Sequence, residues 1–241
     1  MPNHTFNTIT AAPEIIARIL NEKGEIDFNK FIPMPEELRH TTSGSIVDEL
    51  MALYILNTYS FKEFEKQCNA HGVGYVGCYI CKTKKETKTK LEERLGGRTE
   101  DVIRENWADK NSKVIAVLTG EDYCKLHEKY GCHDWYSWAN KYWNTKWNAY
   151  DQSHDDENIW FSTAWSCPEP ILNMICHMFP TDEIEFSSEY EEGYLTKASN
   201  HKGTYMVDGE YELICGEDEN GDSDWDNAYW FNEETQEKIA Y

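Results

Sequence analysis

Residues 158–193 read NIWFSTAWSCPEPILNMICHMFPTDEIEFSSEYEEG. The first eight, NIWFSTAW, are rich in aromatic and β-branched side chains and read as a strand. PEPILNMICHMFP (168–180) sits between prolines and reads as a short helix. EIEFSSEYEE (183–192) alternates apolar and polar residues, as a half-buried strand does, and Gly193 closes it. Strand, helix and strand in succession place this part of the chain in the α+β class. Downstream, YLTKASN, GTYMVDGEYELIC and AYWFNEE look like further strands of a meander.

The N-terminal end has the same texture. HTFNTITAA (4–12) alternates and reads as a strand. Pro13 then opens PEIIARILNEKG, a short amphipathic helix stopped by Gly24. IDFNKFIPMPEEL carries two prolines and reads as an extended segment or loop. Between residues 45 and 131 helices dominate. Ser45 with Asp48, Ser60 with Glu63, and Thr119 with Asp122 each stand three apart, the spacing of a capping box. They would open SIVDELMALYILNTYS, FKEFEKQC and TGEDYCKLHEKYG, the last stopped by Gly131. KTKKETKTKLEERL (82–95) reads as an exposed helix and TEDVIRENWA (99–108) as another short one. KVIAVL (113–118) is too short for its periodicity to separate strand from helix.

A chain of 241 residues that is 40% hydrophobic and 14% aromatic has ample material for a core and is not a disordered polyelectrolyte. No run approaches the ~18 apolar residues of a membrane span. The start, MPNHTFNTIT, lacks the basic and apolar regions of a secretory leader, and eight cysteines without a leader read as reduced thiols. The expected location is the cytoplasm of a bacterial host cell. Charge is uneven: residues 1–150 hold 21 Asp and Glu against 20 Lys and Arg, whereas residues 151–241 hold 23 against 3, a net of −20. Such a field repels nucleic-acid backbone and attracts basic surfaces. The expected partner is a basic host or element-encoded protein, not nucleic acid directly.

GCHDWYSWANKYWNTKWNAYD (131–151) concentrates indole. Trp135, Trp138 and Tyr142 fall at i, i+3 and i+7, one face of a helix, while Tyr136, Asn140 and Trp143 fall on a neighbouring face. A helix hydrophobic nearly all round reads as a buried connector between the first half of the chain and the sheet. The other reading is a stacking platform built on Trp143, Lys146 and Trp147.

That stretch, the opening MPNH, the segment FNKFIPMPEEL, and FSTAWSCPEPILNMICHMFP followed by EFSSEYEEG together resemble the YubB-like, Api-like family of plasmid and phage proteins, whose members carry a ferredoxin-like domain. The resemblance spans residues 1–40 and 130–195. It implies a βαββαβ core made of strand 4–12, helix 13–22, a strand near Lys146–Asp151, strand 158–165, helix 168–178 and strand 183–190. Residues 1–24 and 141–195 would form that core, 25–140 a long, mainly helical insertion, and 196–241 an acidic, β-rich extension. Asn144 stands where the family pattern has Gly, and Cys167 where a small residue or proline is usual. The resemblance carries a fold and a mobile-element setting, but no activity.

Motifs with chemistry are sparse. Cys68-x2-His71 followed by Cys78-x2-Cys81 offers four zinc-type ligands among flexible glycines, so zinc is the one cofactor that the spacing admits; otherwise none is expected. Cys124, His127, Cys132 and His133 form a looser set. GVGYVG (72–77) spells G-x-G-x-x-G but follows a helical stretch, not a strand, and so reads as a glycine-rich turn. In DENGDSDWD (218–226) the sixth position is Ser223, out of register for a calcium loop. The lysines of 82–90 are interrupted by glutamates. No nucleophile elbow, zinc-protease motif or P-loop lysine is present. The expectation is a non-enzymatic protein that binds its partner through the acidic C-terminal half, with Asp218, Glu219, Asp222, Asp224 and Asp226 at the surface, as an inhibitor imitating nucleic-acid charge. The alternative is an enzyme acting on a nucleotide or nucleic acid through its Cys/His and Trp-rich region.

Overall fold

The structure, a computed structural model, describes residues 3–106, 108–217 and 223–241. In chain order these form β1 (His4–Ala11), α1 (Pro13–Ile19), α2 (Phe28–Phe31), α3 (Glu36–Arg39), α4 (Ser45–Thr58), α5 (Phe64–Ala70), α6 (Lys84–Leu95), β2 (Glu100–Arg104), β3 (Val114–Thr119), α7 (Gly120–Tyr130) and α8 (Trp135–Tyr142). There follow β4 (Tyr150–His154), β5 (Asn158–Ala164), α9 (Glu169–Met178), β6 (Ile184–Tyr190), β7 (Tyr194–His201), β8 (Thr204–Glu217), β9 (Ser223–Phe231) and β10 (Lys238–Ala240). The chain divides into two compact units: Met1–Pro33 with Asn140–Tyr241, and Met34–Ala139.

The first unit is an α+β layer built on an eight-stranded antiparallel sheet in the order β10-β9-β8-β7-β6-β1-β5-β4. In β1 the odd positions Thr5, Asn7, Ile9 and Ala11 are buried and the even ones are not, the period of a strand with one covered face. Ile9 pairs with Ile159 on one side and Phe186 on the other, so the covered face is continuous across β5, β1 and β6. Ile15, Ile16 and Ile19 of α1 and Ile171, Leu172, Ile175 and Cys176 of α9 supply the buried helix side chains. Asn7 sits in this core and is fully bonded: its amide donates to Thr163 Oγ1 at 2.9 Å, and Ser188 Oγ donates to its carbonyl at 2.9 Å. One polar side chain thus ties three strands together, as a buried amide must to offset its desolvation.

Residues 25–33 lie in this unit. Gln152 accepts from Ile26 N–H at 2.8 Å, Asn148 accepts from Phe28 N–H at 3.0 Å, and Phe28 meets Phe161 edge-on. Helix α1 ends at Ile19, short of Gly24, which instead takes φ 75° in the turn where Asn21 N–H donates to Glu25 O. Asn144 and Cys167, the two departures from the family pattern, touch each other: the Asn144 amide donates to Cys167 O at 3.0 Å. Asn144 has φ 59°, the left-handed region that glycine fills most easily and asparagine next.

In the second unit α4 is the hub, with α5, α6 and α7 packed around it. Val47, Met51, Ile55 and Leu56 of α4, Phe64 and Cys68 of α5, Leu91 of α6, and Tyr123 and Cys124 of α7 form one core. Thr119 and Asp122 make the full capping box, and Gly131 ends α7 at φ 67°. Glu49 is buried and accepts from Arg94 Nε at 2.6 Å. Segment 99–108, expected as a helix, contains β2, paired with β3. Val102 and Ile103 are β-branched, and this segment supplies the hydrogen-bonding neighbour that the apolar run of β3 needs.

The expected box at Ser45 and Asp48 is not made. Gly44 is the N-cap of α4, and the Asp48 carboxylate accepts instead from Gly74 N–H at 2.9 Å. Burial holds the Asp48 carboxyl above its ordinary 3.8, with the Gly74 bond and His133 pulling the other way. A raised folded-state pKa means that the group favours folding fully at pH below its unfolded value and loses that contribution as pH rises through the folded one. Asp48→Asn keeps an oxygen for Gly74 and removes the charge. It is expected to be more stable than the parent at pH 7, with the gap closing as pH falls below 3.8. Urea denaturation across that range checks it; equal stability at pH 7 would contradict the account.

Candidate functional site

The sheet has a second face. Paired residues of antiparallel strands share a face, and so do residues two apart. Phe6 pairs with Ser162 and Glu189, Ser162 with Tyr150, and Glu189 with Leu195, giving a row Leu195–Glu189–Phe6–Ser162–Tyr150. The next row is Lys197–Ser187–Thr8–Trp160–Ser153. Both rows lie opposite the core positions Asn7 and Ile9; Ser162 is nonetheless buried, and Leu195 is covered in a small cluster with Tyr211 and Trp230, so the open part of the face is centred on β1 and β5. Phe6 and Trp160, on the neighbouring strands β1 and β5, remain 49% and 40% exposed. Large apolar side chains standing open on two interior strands mark a contact surface more than a packing need.

An aromatic string continues from this face. The rings of His4 and Phe6 stack at 6.3 Å, His4 meets Tyr150 edge-on at 5.7 Å, and Tyr150 lies 6.3 Å from Trp147. The Tyr150 hydroxyl shares a hydrogen bond of 2.6 Å with His4 Nδ1, which fixes both rings. Carboxylates surround the string. Glu189 flanks Phe6, and Glu185, opposite Thr10, is exposed on the same face. Burial raises the Glu189 carboxyl above its ordinary value. Burial also raises the Tyr150 phenol, with Asp151 and Glu191 adding to the effect. Aromatic faces beside carboxylates recognise cations: the ring quadrupole attracts positive charge and the carboxylate pairs with it. The unit is charged accordingly, with 27 Asp and Glu against 8 Lys and Arg in residues 1–33 and 140–241, a net of −19.

The expected platform of Trp143, Lys146 and Trp147 is split. Trp143 is a core residue, 3% exposed, its indole N–H donating to Ile32 O at 2.9 Å and its ring edge-on to Phe28. It offers no face to a ligand. Trp147 is half-buried, with Lys146 over its ring at 5.0 Å, and joins the string through Tyr150. Of the acidic surface residues, Asp226 is exposed on β9, while Asp218, Glu219, Asp222 and the side chain of Asp224 lie outside the described residues.

Cys68, His71, Cys78 and Cys81 do not converge. Cys68 is buried in the α4–α5 core, where desolvation pushes its thiol up to about 12. Cys78 is exposed, and Cys81 N–H is bonded to Thr87 Oγ1. His71 Nδ1 bonds Gln67 O at 2.8 Å and its Nε2 lies 3.3 Å from Glu128. Among the described residues no group of three or more His, Cys, Asp and Glu could hold a metal ion. Tyr75 takes φ 51° inside the glycine-rich turn that separates Cys68 from Cys78.

Sequence reasoning passed over Phe6, Trp160 and Glu189. A signal for Trp160 was present, since in the strand NIWFSTAW it alternates with Ile159 and Phe161 and so faces away from both.

Residues 142–238 match the family model described as a ferredoxin-like domain in Api92-like protein. The chain therefore carries a ferredoxin-like domain in its C-terminal part, and the match runs from the end of α8 into β10, past residue 195. Among solved structures, a protein Api92 from Yersinia pseudotuberculosis is similar at 10% identity and a TM-score of 0.37, over 90% of this chain and 99% of that one. No curated protein matches the chain. Among the described residues no helix is long and apolar enough to cross a membrane.

Proposed function

We propose that the sheet unit is a non-enzymatic binding module that holds a basic, arginine-bearing protein segment against the open face of its sheet. The observation that carries this is the placement of Phe6 and Trp160, exposed on the neighbouring strands β1 and β5, with Glu189 next to Phe6 and Glu185 on the same face, in a unit of net charge −19. Guanidinium groups stack on such rings and pair with such carboxylates better than ammonium groups do. β1, α1, β4, β5, α9 and β6 would be the βαββαβ core, a reading supported by the strand order β6-β1-β5-β4. β7 to β10 would then be an extension that widens the same sheet. The motif resemblance supports a plasmid- or phage-borne protein acting in the cytoplasm of a bacterial host.

The acidic residues point several ways. Glu185 and Glu189 stand on the open face, Glu210 and Glu212 alternate to the other face, and Asp155 to Glu157 and Glu191 to Glu192 lie at turns. We therefore read a cation-binding face and not an imitation of a nucleic-acid duplex. Titration calorimetry with an oligoarginine peptide tests it. Binding is expected at low ionic strength, weakening steeply with salt. It should also weaken as pH falls through the raised Glu189 value, because protonation removes the charge that the guanidinium meets. Equal affinity for an oligoglutamate control, or no dependence on salt, would overturn the reading.

A further inference from the structure

The second unit holds a cleft of about 670 Å³ whose charge runs against that of the chain. Arg39, Arg104 and Lys110 line it with His40, against one lining carboxylate, Glu105. With Arg39 already paired to Glu36, Arg104 and Lys110 against Glu105 still leave a net positive lining in a protein of net −21, a place that an anion can approach. Two nearby carboxylates are already engaged. Glu36 is 3.3 Å from Arg39 Nε, and Asp101 accepts from Thr42 Oγ1 and from the Tyr123 hydroxyl. Arg104 is anchored rather than mobile: its Nη1 donates to Ser112 O at 2.8 Å across the β2–β3 hairpin. Lys110 is exposed at the turn of that hairpin.

The remaining wall is aromatic. Trp135 is half-buried in the lining, and its backbone N–H donates to Thr41 Oγ1 at 2.9 Å, which ties the start of α8 to the loop 41–43. Ser43 of that loop brings a hydroxyl into the same lining, and the Thr42 hydroxyl, which donates to Asp101, keeps lone pairs to accept with. A cleft of this size lies within the range that holds a small organic ligand. One indole face beside a cluster of guanidinium and ammonium groups suits a flat ring joined to a phosphate. The ring stacks, the phosphate takes charge-assisted hydrogen bonds, and the hydroxyls serve a sugar.

From this placement we propose that the cleft between α3, the loop 41–43, β2 and Trp135 binds a nucleoside monophosphate. The site is independent of the basic-segment face, lies in the other unit, and takes a ligand of opposite charge.

The test is calorimetry of the full chain at low ionic strength with the common ribonucleoside 5′-monophosphates, the matching nucleosides and inorganic phosphate. At least one monophosphate is expected to bind more tightly than its nucleoside or phosphate alone, because the cleft reads both halves. Lys110→Ala and Trp135→Leu are each expected to weaken it roughly tenfold, and Lys110→Arg to restore most of the loss. Lys110 is exposed, so its variants test the site without disturbing the core. No saturable binding below about 1 mM would overturn the proposal. So would affinities unchanged in both variants. A short single-stranded oligonucleotide that binds far more tightly, with the same dependence on Lys110, would overturn it in favour of a nucleic-acid strand.

Discussion

Replacing Gly120 by alanine is expected to disrupt the second unit. Gly120 is the first residue of α7, and a Cβ built there would lie 2.0 Å from Leu50 O, 2.5 Å from Leu50 C and 3.0 Å from Met51 N. All three atoms are backbone of α4, inside a regular helix, and none can turn aside as a side chain would. Either α7 shifts away from α4 or the helical hydrogen bond of Leu50 breaks. Overpacking of a side chain typically costs about 1–3 kcal/mol, and a clash with backbone belongs at or beyond the upper end. Tyr123 and Cys124, fully buried on the next turn of α7, would be displaced with it. Thermal unfolding followed by circular dichroism is the measurement. A fall in Tm of about 10 °C or more, or loss of part of the transition, is expected. Gly77→Ala is the control, since nothing lies within 4 Å of its Cβ position. If both variants melt with the parent, the close approach of α4 and α7 is not as described.

Removing both open-face aromatics, Phe6→Ala with Trp160→Ala, is expected to abolish most binding of an oligoarginine peptide while the fold persists. Each exposed ring contributes about 1 kcal/mol to a stacked cation, so the pair is expected to cost roughly thirtyfold in affinity. Glu189→Gln should add a smaller loss and flatten the pH dependence, because it removes the titrating partner beside Phe6. Met178→Ala, an exposed apolar residue on α9, is the control and should leave binding unchanged. Two results would sink the basic-segment reading: an aromatic-free sheet that binds as the parent does, or a control as weak as the double variant.

Much of the local structure was legible. The strand–helix–strand of 158–193 appears as β5, α9 and β6, and the Thr119–Asp122 box is made as its spacing implied. Both signals are local: side-chain alternation, prolines at helix starts, and an oxygen three residues from the amide it caps. Reading failed where a distant partner competed with the local signal. Asp48 sits at capping distance from Ser45, yet its carboxylate goes to Gly74, whose amide the fold brings nearer. Val102 and Ile103 sit among helix-compatible charges, yet pair with β3. Of the candidate site, Trp147 was singled out and stands at the end of the aromatic string, whereas Trp143 is core. An indole in a sequence carries no mark of which it will be, since burial is set by the neighbours that arrive from elsewhere.

By itself the sequence determined the period of β1, β5 and β6, the start of α7 with its own cap, and the placement of nearly all the excess negative charge after residue 150. These depend on residues close in the chain or on a sum that folding does not alter. Only the tertiary structure decided that β1 lies between β5 and β6, joined across a separation of 181 positions by Asn7 and Ser188. It alone left Phe6 and Trp160 uncovered on one face and gathered Arg39, Arg104, Lys110 and Trp135 around one cleft in a protein of net −21. The physical reason is that strand pairing and burial are settled by closing long loops against one shared core. Alternation along a strand tells which side chains share a face, but which face is left uncovered is a property of that core.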